Sequence, residues 1–156
     1  RPALVIGAGG AARGIVFGLL ARGRDHVLVA NRSLDRARVL AEGFGPKVRA
    51  LAFAEIPARM AEAGLLVNTS SLGMKGEPDL DLDLAALPAD AIVADCVYAP
   101  LVTTLLSRAR LRGLRVADGL GMLLHQAAPG FERWFGVRPR VTPELRAMLV
   151  ADLERR

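Results

Sequence analysis

The sequence predicts an α/β fold: a doubly wound parallel sheet of six strands in the order 3-2-1-4-5-6, with helices on both faces. Two observations carry this expectation. Six short runs are almost uninterrupted in Val, Leu, Ile and Ala, as in strands buried on both faces, and most are separated by longer amphipathic stretches that read as crossover helices. Right-handed crossovers then wind the sheet both ways from its centre and place a ligand crevice where the winding reverses, beside strands 1 and 4.

The elements follow in order. Residues 3–8 (ALVIGA) form the first strand, and residues 10–22 a helix closed by Gly23. Residues 26–31 (HVLVAN) form the second strand, with a helix over 34–42 that stops at Gly43. A third strand covers 47–53, then a short helix over 54–63, where Pro57 suits the first turn. Strands four, five and six cover 65–69, 91–98 and 115–118, with a helix over 102–111 between the last two. Two helices, 120–134 and 143–153, complete the chain. The Asp/Leu alternation at 79–84 reads as a short polar loop.

Composition narrows the function. A chain of 156 residues suits one domain with a real core, and 52% hydrophobic against 24% charged residues is globular rather than disordered. Aromatics at 4% leave the core to aliphatic side chains. The net charge of +5 would suit nucleic acid, a membrane surface or a phosphorylated small molecule. The arginines are scattered and no aromatic run offers a stacking platform, which argues against nucleic acid. A single cysteine, Cys96, excludes an internal disulfide framework, and with only two histidines there is no metal-ligand cluster. No signal peptide or membrane-spanning run is evident, so the expected compartment is the cytoplasm.

VIGAGGAARG places Gly7, Gly9 and Ala12 at the G-x-G-x-x-G/A positions between a strand and a helix. Gly7 permits the tight turn, Gly9 lets a diphosphate approach the backbone, and Ala12 lets the helix pack close to the sheet. Gly10 is another bare position beside the diphosphate. The free amides and positive end of the helix then receive the anion, so Gly7, Ala8, Gly9, Gly10 and Ala11 are expected to bind a dinucleotide.

The end of the second strand identifies which one. NAD-binding domains of this kind carry an acid there for the adenosine ribose, but this chain has Asn31-Arg32-Ser33. A carboxylate would repel a 2′-phosphate, whereas a guanidinium grips it through paired bonds. Arg36, at the start of the next helix, can reach the same group. The expected cofactor is NADP.

With these segments in hand, the chain resembles the NADP-binding C-terminal domain of the shikimate dehydrogenase family, a Rossmann-like fold. NTSSLGM (68–74), DCVYAPLVTTLL (95–106), DGLGMLLHQA (118–127) and FERWFG (131–136) are similar to that family's segments in order and spacing. The resemblance implies NADPH-dependent reduction of 3-dehydroshikimate to shikimate in aromatic amino acid biosynthesis. It implies that Asn31, Arg32, Ser33 and Arg36 hold the 2′-phosphate and adenosine. Cys96, with Gly119 nearby, would line the nicotinamide site, while Tyr98 and Gln126 would face the substrate. Asn68, Thr69 and Ser70 stand where polar groups can meet a ribose or carboxamide, and Met122, expected to bind the cofactor, shares a helix face with Gln126. Asp95 and Asp118 are expected to cap or brace, and His26 and His125 to lie at the surface.

The resemblance also implies what the chain lacks. The family's catalytic lysine and aspartate come from a separate N-terminal domain. Lys47 and Lys75, the only lysines, stand in no similar motif. No catalytic residue is therefore assigned, and residues 1–156 read as the cofactor domain of a longer parent chain, inactive alone. A strand that starts almost at once after Arg1 fits that reading. The substrate and the missing domain are the expected partners; a homodimer stays open. Two alternatives remain, a quinate/shikimate dehydrogenase relative and a stand-alone NADP-binding module without catalysis.

Overall fold

The computed structural model describes residues 1–155. It contains β1 (Ala3–Ile6), α1 (Gly10–Ala21), β2 (Val27–Asn31), α2 (Leu34–Phe44), β3 (Val48–Ala52), α3 (Ile56–Arg59), β4 (Leu65–Asn68), β5 (Ile92–Asp95), α4 (Thr104–Leu111), β6 (Arg115–Ala117), α5 (Gly119–Phe135) and α6 (Pro143–Glu154). The six strands form one sheet in the order β3-β2-β1-β4-β5-β6, every pair parallel, as expected.

Strand alternation divides the core between two faces. Ala3 and Val5 of β1 pack with Ala12 and Val16 of α1 and with Ala37 and Leu40 of α2. Leu4 and Ile6 point the other way, into a cluster with Ile56 and Met60 and with Leu105 and Leu106 of α4. β1 is fully buried because helices cover both of its faces, which is why the run is continuous rather than alternating.

The expected boundaries shift at several places, each for a local reason. α2 runs through Gly43 to Phe44 and stops at Gly45, whose φ of 82° is the conformation an L-residue avoids. The helix expected over 54–63 is broken into a 3₁₀ turn at Phe53–Glu55, the single turn α3 and a second 3₁₀ turn at Met60–Glu62. α4 begins at Thr104, not at 102, because the Thr103 hydroxyl accepts from the Leu106 amide (3.3 Å) and caps the helix. β5 ends at Asp95, not at 98, since the next available amide, Val97 N–H, is drawn to the Asp95 carboxylate.

The segment 79–84 is not a simple polar loop. Leu80, Leu82 and Leu84 are buried in the core cluster, while Asp79, Asp81 and Asp83 face outward. The alternation is the signature of a half-buried extended chain. Among the described residues no strand pairs with it. Instead Arg108 of α4 bonds Asp81 (2.5 Å), and Arg112 donates to the carbonyls of Leu84 and Leu87.

A candidate dinucleotide site at the carboxyl edge of the sheet

The carboxyl ends of β1, β2, β4 and β5 meet where the winding reverses. β1 leaves the sheet at Gly7, whose amide still donates to Ala30 O (2.8 Å) while its φ of +108° turns the chain. A Cβ at Gly7 would stand 2.7 Å from Thr69 Oγ1 and 3.2 Å from Ser70 N. Glycine is therefore required here both by conformation and by the approach of β4. The Thr69 hydroxyl donates to Ile6 O (2.7 Å), so this side chain braces the glycine turn.

Gly9 and Gly10 differ from Gly7. A Cβ at either would meet nothing within 4 Å, so no packing inside the protein demands glycine. Gly9 is the N-cap of α1 and has no capping side chain, and the first turn holds no acid. Its leading amides lie at an exposed helix end that carries partial positive charge. Ala8 is half-buried, Ala11 exposed, and Ala12 fully buried against the sheet. This is a bare, cationic surface of the kind a diphosphate fits.

Across the edge, Asn31 Nδ2 donates to Ser33 O (2.9 Å) and fixes the turn after β2. Ser33 is the N-cap of α2, yet its side chain makes no capping bond. Arg32 and Arg36 are exposed and form no salt bridge among the described residues, whereas the neighbouring Asp35 is paired with Arg38 (3.1 Å). A small concavity of about 60 Å³ is lined by Gly7, Asn31, Arg32, Phe53 and Ser70, among others. It joins the glycine turn, the arginine and the β4 turn, three segments the sequence singled out separately.

The buried polar side chains of the described residues all lie at this edge: Asn68, Thr69, Asp95 and Thr103. Asn68 Nδ2 donates to Asp95 Oδ1 (3.0 Å) and Leu72 O (2.9 Å), and its Oδ1 accepts from Ser70 N and from Ser70 Oγ (3.0 and 2.7 Å). Asp95 Oδ1 also accepts from Val97 N (2.9 Å), and Oδ2 accepts from Thr103 Oγ1 (2.7 Å). Burial pushes the Asp95 carboxyl up, opposed by these three donors. Since every partner donates, the network is built for the carboxylate form. Asp95 thus braces, as expected. Asn68, expected to meet a ribose or carboxamide, is tied instead into this network; Thr103 carries no expectation, and a Thr three residues before a Leu at a helix start is the signal available for it.

Cys96, half-buried, follows directly. Burial, and then the charge of Asp95, push its thiol up to about 11, so it stays protonated near neutrality and is no nucleophile. Gly119 at the start of α5 packs against this segment. A Cβ there would lie 2.6 Å from Cys96 C and from Val97 O, and nearer still to the Cys96 carbonyl oxygen. Asp118 caps α5 through the Leu120 amide (3.2 Å) and accepts from Arg146 of α6 (2.5 Å).

Tyr98 is 37% exposed beside the cis Ala99-Pro100 bond, lining a larger concavity of about 920 Å³ with Met74, Lys75, Val102 and Leu153. Gln126 lines a different, apolar groove with Phe131, Trp134 and Leu145. Met122 is half-buried and lines neither. The chain therefore does not bring Tyr98 and Gln126 into one concavity. His26 and His125 are exposed. Lys47 pairs with Asp25 (2.7 Å) just before β3 and β2, at the opposite edge of the sheet from the glycine turn. Among the described residues no cluster of three metal-binding side chains occurs, and no helix is long and apolar enough to cross a membrane.

Comparison with known proteins agrees with this geometry. Residues 1–73 match the family described as Shikimate / quinate 5-dehydrogenase, and residues 119–149 match the Shikimate 5'-dehydrogenase C-terminal domain. The chain is 65% identical over 151 residues to a shikimate dehydrogenase (NADP(+)) of Rhodopseudomonas palustris strain BisB5, covering 97% of this chain and 53% of the relative. It is 62% identical to that of Nitrobacter winogradskyi, covering 97% and 54%. Among solved structures, shikimate 5-dehydrogenase from Thermus thermophilus in complex with NADP(H) and shikimate superposes with a TM-score of 0.79 at 37% identity, over 98% of this chain and 54% of that one. Quinate dehydrogenase from Corynebacterium glutamicum in complex with NAD gives 0.87 at 30% identity, over 97% and 55%. The chain spans about half the length of these relatives. With the strand order, the glycine turn and these matches together, the chain belongs to the shikimate dehydrogenase family.

Proposed function

We propose that this chain is the NADP(H)-binding domain of a shikimate dehydrogenase, serving the reversible NADPH-dependent reduction of 3-dehydroshikimate to shikimate in the cytoplasm. The observation that carries the choice of cofactor is Arg32: exposed, without a salt bridge among the described residues, and lining one concavity with Gly7 and Ser70. A guanidinium so placed can hold a 2′-phosphate, and Arg36 on the first turn of α2 adds a second cation. The names of the relatives in Rhodopseudomonas and Nitrobacter, which specify NADP(+), support this.

The bound dinucleotide would supply the hydride. The chain's own residues bind and orient it. The amides after Gly9 receive the diphosphate, Asn31 and Ser33 flank the adenosine end, and Ser70 offers a hydroxyl between them. Cys96 and Gly119 frame the nicotinamide end, where the buried Asp95 network fixes the backbone. Tyr98 and Gln126, which line separate concavities of this chain, are the residues assigned to the substrate. In this reading residues 1–156 form one cofactor domain, and the proton-transferring groups come from a separate domain of the parent protein. The position of Lys47, paired at the far edge, and relatives about twice as long support that division.

Calorimetric titration with NADP(+) and then NAD, at matched pH and salt, tests the proposal. Two charge-assisted contacts of roughly 1.5–3 kcal/mol each favour NADP(+) by about a hundredfold, and Arg32→Asp should reverse the preference. Equal binding of both dinucleotides, or an unchanged preference in R32D, overturns it.

A further inference from the structure

We infer that Asp95 is a redox-state selector: a buried, uncompensated carboxylate beneath the nicotinamide end of the site that favours the cationic ring of NADP(+) over the neutral ring of NADPH. The inference rests on the proposed placement of the nicotinamide against Cys96 and Gly119.

Asp95 is 3% exposed at the end of β5, and its side chain is held by Asn68, Val97 N–H and Thr103. These partners are all neutral, and no salt bridge reaches it among the described residues. The other carboxylate of this corner, Asp118, is different: it caps α5 and its charge is matched by Arg146 at 2.5 Å. The corner thus retains one full negative charge, locked by hydrogen bonds that stop it from turning away. Its field reaches the adjacent residue, because the charge of Asp95 is one of the two causes that hold the Cys96 thiol protonated. A ligand ring laid against Cys96 stands in that field. Oxidised nicotinamide carries a positive charge that the reduced ring lacks, so only the oxidised form is attracted. A unit charge at several ångströms in a partly wet site is worth about a five- to tenfold difference in affinity. The three-donor arrangement is more than packing needs, since an apolar side chain could fill the same corner without desolvating a charge.

The test is the ratio of the dissociation constants for NADP(+) and NADPH, measured by calorimetry on the wild-type chain, Asp95→Asn and Thr103→Val. D95N keeps the shape and removes the charge; T103V removes one hydrogen bond and keeps the charge. The expected result is weaker NADP(+) binding in D95N by about five- to tenfold with NADPH nearly unchanged, and a T103V ratio within about twofold of wild type. Alkylation of Cys96 against pH gives a readout without cofactor: the thiol titrates lower in D95N than in wild type. Should D95N be unfolded by circular dichroism, Asp95→Ser supplies the neutral side chain. An unchanged ratio in the neutral variant, or an equal shift in T103V, overturns the inference and leaves the cofactor assignment standing. Failure of the wild-type chain to bind either form overturns both.

Discussion

Replacing Gly119 by alanine tests the close packing of α5 on the Cys96–Val97 segment, where the nicotinamide end is proposed. The new Cβ would lie 2.6 Å from two backbone atoms, Cys96 C and Val97 O, and closer to a third. Ordinary contact for carbon is about 3.5–4.0 Å, so the overlap approaches 1 Å. The segment cannot easily retreat, because Val97 N–H is bound to Asp95 (2.9 Å) and Asp95 to Thr103 (2.7 Å). Overpacking of this kind costs about 1–3 kcal/mol, with the upper end expected where backbone rather than a side chain must move. Alanine recovers at most about 1 kcal/mol through helix propensity, which leaves a net loss of about 2 kcal/mol. For a domain of this size that lowers the melting temperature by about 4–8 °C. Gly9→Ala is the companion: with nothing within 4 Å of its Cβ, it should melt within about 1 °C of wild type and yet bind NADP(+) at least about tenfold more weakly. Thermal unfolding by circular dichroism and calorimetry read both effects. A G119A that melts with wild type refutes the argument from close approach; a G9A that binds normally refutes the diphosphate cradle.

Further outcomes follow from the core and the titrations. Leu82→Ala should cost about 2–5 kcal/mol in urea unfolding, because Leu82 is buried in the main core cluster; Asp81→Ala, which loses only an exposed pair with Arg108, should barely move the midpoint, and equal effects would mean that the segment is not packed. Cys96 holds its proton to about pH 11 in the fold against an ordinary 9.0, so its contribution is complete below pH 9 and is lost as pH rises toward 11. Relative to Cys96→Ala, the wild type should lose about 1–2 kcal/mol over that window, after allowance for solvent screening of a half-buried group; parallel stability profiles would show the thiol unshifted. At neutral pH the same thiol should react with iodoacetamide far more slowly than a free cysteine, and equal rates would count against its burial.

Strand order and the glycine turn were legible in the sequence because both depend on local chemistry. Continuous aliphatic runs state that a strand is covered on two faces, and a glycine between strand and helix states that the backbone must turn; Arg32 in place of an acid is the local signal on which the proposed choice of cofactor rests. Boundaries were less legible. Gly43 and Gly45 are equally plausible stops on paper, and only the fold selects Gly45 for the positive φ. The 79–84 alternation could be read as loop until its leucines were seen against Ile56 and Leu105 in one cluster.

The sequence by itself determined the fold class and the family, since both are written in short motifs and runs whose spacing is set by backbone geometry. Tertiary structure alone decided which polar side chains are tied into the frame. Asn68 and Thr69 both stand where polar groups can meet a ribose or carboxamide, yet Asn68 holds Asp95 and Thr69 donates to Ile6; Thr103, which no sequence signal tied to the site, also holds Asp95. The reason is physical: a buried polar group must find a partner, and that partner lies on another strand, tens of residues away, where no local pattern records it.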